Sequence, residues 1–161
     1  MGLQMKVAVL TNADDRSEVP SIDRLLTEAN LRGHKAFRIR YSECSIAIEN
    51  NRSIMFYRGK ELTKLDAIIP RILKDDFDYG MDVLRHFESI GVYILNRPEA
   101  VTLAANKWNA AQILNRNGIV VPDTYRSKDE LMLRSIGALE AVSNGLVIKS
   151  TKGILGSDVI L

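Results

Sequence analysis

Short apolar runs typical of buried strands alternate with amphipathic helical segments along most of this sequence. Lys6–Thr11 and Ala36–Ile39 read as strands, and apolar residues recur at helical spacing between them, from Pro20 until Gly33 ends the helix. Two neighbouring parallel strands need a crossover connection, which is usually a helix. The alternation therefore predicts an open α/β sheet of parallel strands.

The same alternation continues after a short insert. Asp66–Ile69 and Val92–Leu95 read as further strands, Tyr79–Ile90 as the helix between them, and Pro98 begins another helical region. This pattern predicts a complete α/β domain of about four parallel strands over residues 1–121, with the last helix as a linking element.

The insert between the second and third predicted strands has a different character. Ile46–Glu49 and Ser53–Tyr57 are separated by Asn50-Asn51, and Arg58-Gly59-Lys60 makes a further turn. Asparagine tolerates the positive φ that tight hairpin turns require. We therefore predict a β-hairpin here.

Residues 122–161 have a separate pattern, which predicts the start of a second domain. Ser127 and Glu130 are spaced as a capping box before an apolar helix, Leu146–Ser150 reads as a strand, and Asp158–Leu161 begins another strand. A two-stranded ribbon is marginal in water without further partners. We expect this segment to be poorly ordered, to dock on the first domain, or to pair with another chain as a homo-oligomer.

The bulk composition excludes several classes of protein. The 161 residues carry a formal net charge of only +2, whereas nucleic-acid binders usually concentrate positive charge on one face. Cys44 is the only cysteine, and no apolar run has the length of a membrane span. We therefore expect a cytoplasmic protein that binds neither nucleic acid nor membrane, with no cysteine-based metal site.

Three basic residues are candidates for binding an anion. Lys149 precedes a loop with Gly153 and Gly156, and glycines let backbone N–H groups approach phosphate oxygens. Lys107 lies early in a helix, where a solvated lysine is the ordinary alternative. Arg71 ends a predicted strand, at the edge where open α/β sheets bind ligands, and its planar guanidinium suits a carboxylate. A surface or salt-bridged arginine is the slightly more ordinary alternative.

Five stretches, in this order, resemble the RimK-like ATP-grasp ligases: YRGKEL (Tyr57–Leu62), DAIIPRI (Asp66–Ile72), GVYILN (Gly91–Asn96), AANKWNAAQILNRNGIVVPDT (Ala104–Thr124) and LVIKSTKGILGSDVIL (Leu146–Leu161). The resemblance covers nearly the whole chain. It implies a small open parallel-sheet pre-ATP-grasp domain at 1–121, followed at 122–161 by the first, incomplete α+β subdomain of an ATP-grasp fold.

The resemblance also implies a reaction and a set of ligands. ATP phosphorylates a carboxylate, and an amine attacks the acyl phosphate to give an amide, with Mg²⁺ bridging the phosphates. By their places in the family's motifs, Lys107 and Lys149 would contact the nucleotide, the loop with Gly153 and Gly156 would cover the phosphates, and Arg71 would bind substrate. The implied partners are an amino acid, typically glutamate, and an acceptor carboxylate at a protein C-terminus or on a small metabolite.

Two departures from the family pattern limit what this chain should do alone. Asp158 stands where the family loop usually has a third glycine, and its carboxylate would repel phosphates. The segments expected to bind adenine, magnesium and the acyl phosphate would follow Leu161. Without them the phosphoryl step loses its main electrostatic stabilisation, so we expect no catalysis by the chain alone.

Three functional interpretations remain open from the sequence. The chain is the front portion of a ligase, or a naturally shortened, non-catalytic homologue that binds a partner or regulates a full-length ligase. The third interpretation, a flavodoxin-like nucleotide-binding domain, would need a phosphate-binding first loop, and Thr11–Ser17 contains no glycine.

Overall fold

The computed structural model describes residues 3–13, 20–73, 76–129, 131–132, 135, 145, 147–151 and 159–160. The chain divides into two compact units, Met1–Ala100 and Val101–Leu161. This division groups residues 101–121 with the second unit, whereas the sequence suggests one domain over 1–121 and another over 122–161. The predicted boundary after residue 121 stays a prediction.

The described residues form these elements in chain order: β1 (Lys6–Leu10), α1 (Pro20–Leu31), β2 (Lys35–Ile39), a 3₁₀ turn (Tyr41–Glu43), β3 (Cys44–Glu49), β4 (Arg52–Tyr57), β5 (Lys60–Glu61), β6 (Ala67–Pro70), α2 (Phe77–Ser89), β7 (Tyr93–Ile94), α3 (Pro98–Ala105), α4 (Lys107–Arg116), β8 (Ile148–Lys149) and β9 (Val159–Ile160).

The first unit is built on a four-stranded sheet with the order β2-β1-β6-β7, in which every neighbouring pair is parallel. Its central strands are buried: Leu10 in β1 and Ile68 in β6 have no exposed surface. Strands covered on both faces are apolar without alternation, which is the pattern that the sequence shows. The predicted α/β fold with a parallel sheet is confirmed.

Helices cover this sheet with narrow apolar faces. Ile22 of α1 packs with Val9 and Ala13 in one cluster, and α2 buries a larger set that includes Leu84 and Phe87. Pro20 suits the first turn of α1 because that turn needs no N–H donor from it. These contacts bury the apolar side that the helical spacing predicted.

The hairpin insert forms as predicted and is attached to α2. Asn50 and Asn51 have φ values of 50° and 61°, as a two-residue hairpin turn requires, and β4 pairs antiparallel with both β3 and β5. Tyr79 of α2 donates its hydroxyl hydrogen to the carbonyl oxygen of Cys44 at 2.7 Å, and the Nε2 of His86 lies 3.0 Å from the carbonyl oxygen of Ile54. These contacts fix the insert against one face of α2.

Arg58 and Glu43 hold the base of this insert together. The Nε and Nη2 atoms of Arg58 donate to the two carboxylate oxygens of Glu43 at 2.6 and 3.3 Å. The guanidinium also lies over the ring of Tyr57, 5.2 Å from its centroid. The hydrogen bond from Arg58 lowers the pKa of Glu43 below its ordinary value, against the opposing effect of desolvation.

The segment after β6 is held on two sides. The backbone N–H of Arg71 donates to the carbonyl oxygen of Leu10 at 2.8 Å, and that of Leu73 donates to the Tyr41 hydroxyl at 3.2 Å. Between them, Ile72 packs against Gly80 so closely that a Cβ atom on Gly80 would lie 2.6 Å from the Cγ2 of Ile72. The backbone around Arg71 is therefore fixed by tertiary contacts.

The second unit is less covered in the part that the structure describes. No residue of α4 is buried, and Val120 is 95% exposed. β8 and β9 pair antiparallel, as the sequence predicts. Ser127 accepts a hydrogen bond from the backbone N–H of Asp129 at 3.0 Å, while Glu130, the other half of the predicted capping box, lies outside the described residues.

We predict that Gly80→Ala destabilises the first unit, although alanine favours a helix interior by about 1 kcal/mol. The new methyl group would meet the branched Cγ2 of Ile72, and overpacking of this kind costs about 1–3 kcal/mol. Urea denaturation of a double-mutant cycle with Ile72→Leu, which lacks that methyl branch, checks this. The decrease in the free energy of unfolding caused by Gly80→Ala should be smaller in the Ile72→Leu background. An equal decrease in both backgrounds would contradict the proposed clash.

A second prediction concerns pH. Because the folded-state pKa of Glu43 is lowered, its contribution to stability is present above its unfolded pKa of about 4.3 and is lost as the pH falls through the folded value. Urea midpoints of the natural protein and of Glu43→Gln should therefore differ at pH 7 and converge as the pH falls below about 4. Glu28→Gln, at an exposed ion pair with Arg32, is the control. A Glu43→Gln difference that persists unchanged at pH 3 would refute the assignment.

Candidate functional site

Lys107 is the first residue of α4, and Asn106 sets the start of that helix. The Oδ1 of Asn106 accepts hydrogen bonds from the backbone N–H groups of Trp108 and Asn109, both at 3.1 Å. Asn106 itself is extended, with φ −100° and ψ 103°, so the helical region that begins at Pro98 is interrupted there. Asparagine is among the preferred residues at this capping position.

The start of α4 lies against the segment that follows β8. The backbone N–H of Lys107 donates to the carbonyl oxygen of Thr151 at 3.0 Å. Thr151 is two residues beyond Lys149, which ends β8 and is exposed. The structure therefore brings the backbones at the two predicted nucleotide lysines into adjacent segments of the second unit, although they are far apart in sequence.

This arrangement provides positive charge through side chains rather than through backbone amides. Asn106 and Thr151 already accept the N–H groups of the first residues of α4, and Ala110 donates to the Asn106 carbonyl at 2.9 Å. The positive end of the helix dipole and the ammonium groups of Lys107 and Lys149 add positive charge to this part of the second unit. The two lysine ammonium groups suit a polyphosphate because they neutralise charge without requiring a fixed geometry.

Gly153 and Gly156, the glycines predicted to cover the phosphates, lie outside the described residues, as does Asp158.

Arg71 belongs to the first unit, at the carboxyl edge of its parallel sheet. Its side chain is exposed, and its Nη1 donates to the carbonyl oxygen of Pro70 at 3.0 Å. The backbone on either side of it is fixed, as described above. An exposed guanidinium on a fixed backbone at this edge is well placed to bind a carboxylate.

Two asparagines near these residues were not identified as site residues from the sequence. Asn106 could have been, because an asparagine immediately before a helical segment is a known start signal. Asn12 could not, because its partners are distant: its Oδ1 accepts from the backbone N–H of Ser42 at 3.0 Å, and its Nδ2 donates to the carboxylate of Asp76, 64 residues away, at 3.4 Å.

An open groove of about 440 Å³ runs along α3 and α4, but no predicted site residue lines it; its lining residues are Leu103, Asn109, Gln112, Ile113, Asn115 and Arg116. Over the described ranges, no group of three or more His, Cys, Asp or Glu side chains has an arrangement that could hold a metal ion. No helix in that same part of the chain is long and apolar enough to cross a bilayer.

Comparison with known proteins identifies relatives of both units. A family model described as the RimK PreATP-grasp domain matches residues 5–101, more than half of the chain. A probable alpha-L-glutamate ligase of Coxiella burnetii is 34% identical over 161 residues, which is 98% of this chain and 51% of that protein. The chain thus spans about half the length of the curated relatives that it matches.

Solved structures share the fold. The match to the ATP-grasp ligase PsnB, complexed with a minimal precursor, has a TM-score of 0.67 at 15% sequence identity. It covers 99% of this chain and 58% of the PsnB chain. The match to a RimK domain protein ATP-grasp from Sphaerobacter thermophilus has a TM-score of 0.64 at 22% sequence identity. It covers 96% of this chain and 52% of the Sphaerobacter chain. At these identities the likeness concerns the fold, and it confirms the expected α/β architecture.

We predict that Asn106→Ala weakens the start of α4 by about 1 kcal/mol, the usual cost of losing a capping side chain. The amides of Trp108 and Asn109 lose their acceptor, so their hydrogen exchange should accelerate about fivefold. NMR-detected exchange measures this directly, with Gln112→Ala, at an exposed residue of the same helix, as the control. Unchanged exchange at both amides would show that Asn106 does not cap α4.

Proposed function

The chain belongs to the family of RimK pre-ATP-grasp domains, and from this we propose that it is part of an ATP-dependent ligase that joins an amino acid to an acceptor carboxylate. The probable alpha-L-glutamate ligases among its relatives suggest glutamate as the amino acid. Since the chain spans about half their length, the proposed activity is that of the whole protein to which it contributes.

One observation supports the nucleotide part of this proposal most directly. The hydrogen bond from the Lys107 N–H to the Thr151 carbonyl, at 3.0 Å, joins the start of α4 to the segment that follows Lys149. Two lysines carried by joined segments can approach the same polyphosphate. A single lysine on an isolated, solvated helix would have no second cation beside it. The joined segments therefore support a polyphosphate, such as that of a nucleoside triphosphate, as the proposed ligand.

The lysines act by neutralising charge. ATP, when bound, supplies the phosphoryl group that activates the carboxylate. Lys107 and Lys149 would hold the phosphates and reduce their mutual repulsion, and charge-assisted contacts of this kind are about twice as strong as neutral hydrogen bonds. The described residues offer no donor set for Mg²⁺, so no role for the metal is assigned to them.

Arg71 would serve the other substrate. Its guanidinium can bind a carboxylate with two parallel hydrogen bonds, and its fixed backbone lowers the entropy lost when it does so. It lies in the first unit, and the lysines lie in the second. We therefore assign nucleotide and carboxylate binding to different units of the chain.

We predict that Lys107→Ala and Lys149→Ala each weaken ATP binding about tenfold, the cost of losing one charged contact. Trp108 is the only tryptophan and directly follows Lys107, so its fluorescence provides the titration signal. Lys128→Ala, at an exposed lysine of the same unit, is the matched control and should leave ATP affinity unchanged.

AMP should bind this site more weakly than ATP, because the lysines recognise the phosphate chain. If the two lysine variants and the Lys128→Ala control all bind ATP like the natural protein, the proposed nucleotide site is wrong.

A further inference from the structure

Strand β3 lies at an edge of the hairpin sheet, and its ladder to β4 determines which of its backbone groups point outward. The sheet order is β3-β4-β5, so among the described strands β3 has a neighbour on one side only. Arg58 donates its backbone N–H to the carbonyl oxygen of Glu43 at 3.0 Å, one pair beyond the ladder that begins with Cys44 and Tyr57. Because hydrogen-bonded pairs alternate along an antiparallel ladder, the odd-numbered residues of β3 bond to β4. The even-numbered residues point their N–H and C=O groups outward.

The outward groups of Cys44 are already used, whereas those of Ile46 and Ile48 are not. The backbone N–H of Cys44 donates to the Tyr41 carbonyl oxygen, and its own carbonyl oxygen accepts from the Tyr79 hydroxyl at 2.7 Å. Within the described residues, no hydrogen bond uses the outward N–H or C=O groups of Ile46 and Ile48. Ile46 is 36% exposed and Ile48 is 76% exposed. The open part of the edge therefore consists of these two isoleucines.

This edge lacks several of the features by which proteins protect an exposed strand. Such features include a lysine or proline on the edge strand, a bulge, or a very short strand. β3 has six residues in unbroken register with β4, and its sequence CSIAIE contains neither lysine nor proline. Other edges of the described sheets differ: β2 carries Lys35 and Arg38, and β5 and β7 have two residues each. β3 is thus suited to pair with a further strand.

A second copy of β3 fits this edge in one antiparallel register. When Ile46 of each copy lies opposite Ile48 of the other, each pair exchanges both of its N–H···O bonds, and the two-fold axis passes beside Ala47. A shift by two residues would place an isoleucine opposite Cys44, whose groups are already bonded, or opposite Asn50, which lies in the hairpin turn with φ 50°. Self-complementarity of this kind is what a two-fold symmetric dimer requires.

The side chains of β3 also favour this register. Ile46 lies opposite Met55 of β4, which is only 1% exposed, so Ile46 and Ile48 point to the face of the sheet on which Met55 is buried. In the proposed register each Ile46 is beside an Ile48 of the other copy, which makes an apolar cross-strand pair on that face. Glu49, the one charged residue of β3, meets the neutral Ser45 of the other copy. Like charges of the two strands are therefore kept apart.

We propose that β3 is the contact strand of a two-fold symmetric homodimer, in which two three-stranded hairpin sheets join edge to edge into one continuous sheet. A second copy is the fitting occupant because symmetry supplies the outward donors and acceptors in complementary order. A single strand pair buries less surface than a standard interface, so the association should be weak and depend on protein concentration. The dimer does not require ATP, and its failure would leave the proposed nucleotide site untouched.

Sedimentation velocity of the 161-residue protein over a range of concentrations measures this association. The natural protein should shift from monomer to dimer as its concentration rises. Ile48→Lys should weaken dimerisation by about tenfold or more, because it replaces both symmetry-related apolar contacts with a charge on the edge strand. Leu31→Lys, at the end of α1, is the matched control because Leu31 is also 76% exposed, and it should dimerise like the natural protein.

Disulfide cross-linking tests the register itself. The Ala47 residues of the two copies form a non-hydrogen-bonded pair, in which Cα atoms are about 4.5 Å apart, close enough for a disulfide. Ala47→Cys should therefore give a linked dimer under mild oxidation, while the buried natural Cys44 stays unlinked. Ser45→Cys, at an exposed position on the same face of β3, is the matched control. In this register its two copies lie at least about 13 Å apart and should not link.

Three results would overturn the proposal. They are a natural protein that stays monomeric up to about 1 mM, dimerisation of Ile48→Lys equal to that of the natural protein, and linking of Ser45→Cys as readily as Ala47→Cys. Because Ile48 is mostly exposed, Ile48→Lys should unfold at nearly the same urea concentration as the natural protein. Should it fail to fold, the comparison of the two cysteine variants decides.

Discussion

The parallel pairing of β1 with β6 determines where every candidate residue of the first unit lies. Leu10 pairs with Pro70, and the backbone N–H of Arg71 extends the ladder to the Leu10 carbonyl. Because the strands run in the same direction, their carboxyl ends meet at one edge, where loops from both can contribute side chains. A slip of this register by one residue would turn the apolar side chains of a buried strand to the opposite face.

That register is secured by packing on both sides of the sheet. Ile68 and Leu10 are fully buried in its centre, and α2 closes one face through Leu84 and Phe87. The missing side chain of Gly80 lets α2 approach the segment after β6 more closely than an alanine would allow. The position of an exposed arginine therefore depends on a buried contact that has no chemistry of its own.

In the described part of the second unit, local hydrogen bonds contribute more than buried side chains do, the reverse of the first unit. The described helical residues of this unit bury little: α4 has no buried residue, and the one buried residue of α3, Pro98, lies in the first unit. Local bonds instead define the start of α4, with Asn106 bonded to two backbone amides and Lys107 to Thr151. Helices with little burial depend on such capping, since propensity alone rarely stabilises ten residues in water.

Sequence reasoning predicted those features that depend on neighbouring residues. The strand and helix alternation around the sheet follows from side-chain spacing, and the hairpin turn at Asn50-Asn51 follows from the tolerance of asparagine for positive φ. The same reasoning identified Lys107, Lys149 and Arg71 as candidates, because their positions relative to strand and helix ends are local properties. Their roles remain proposals.

By itself, the sequence determined the α/β class, the parallel sheet and the hairpin, since periodicity and turn chemistry act over a few residues. Only the tertiary structure decided that the start of α4 meets the segment after Lys149, and that Asn12 contacts Asp76 across 64 residues. Such contacts leave no local pattern, because they depend on how buried faces pack after the elements have formed.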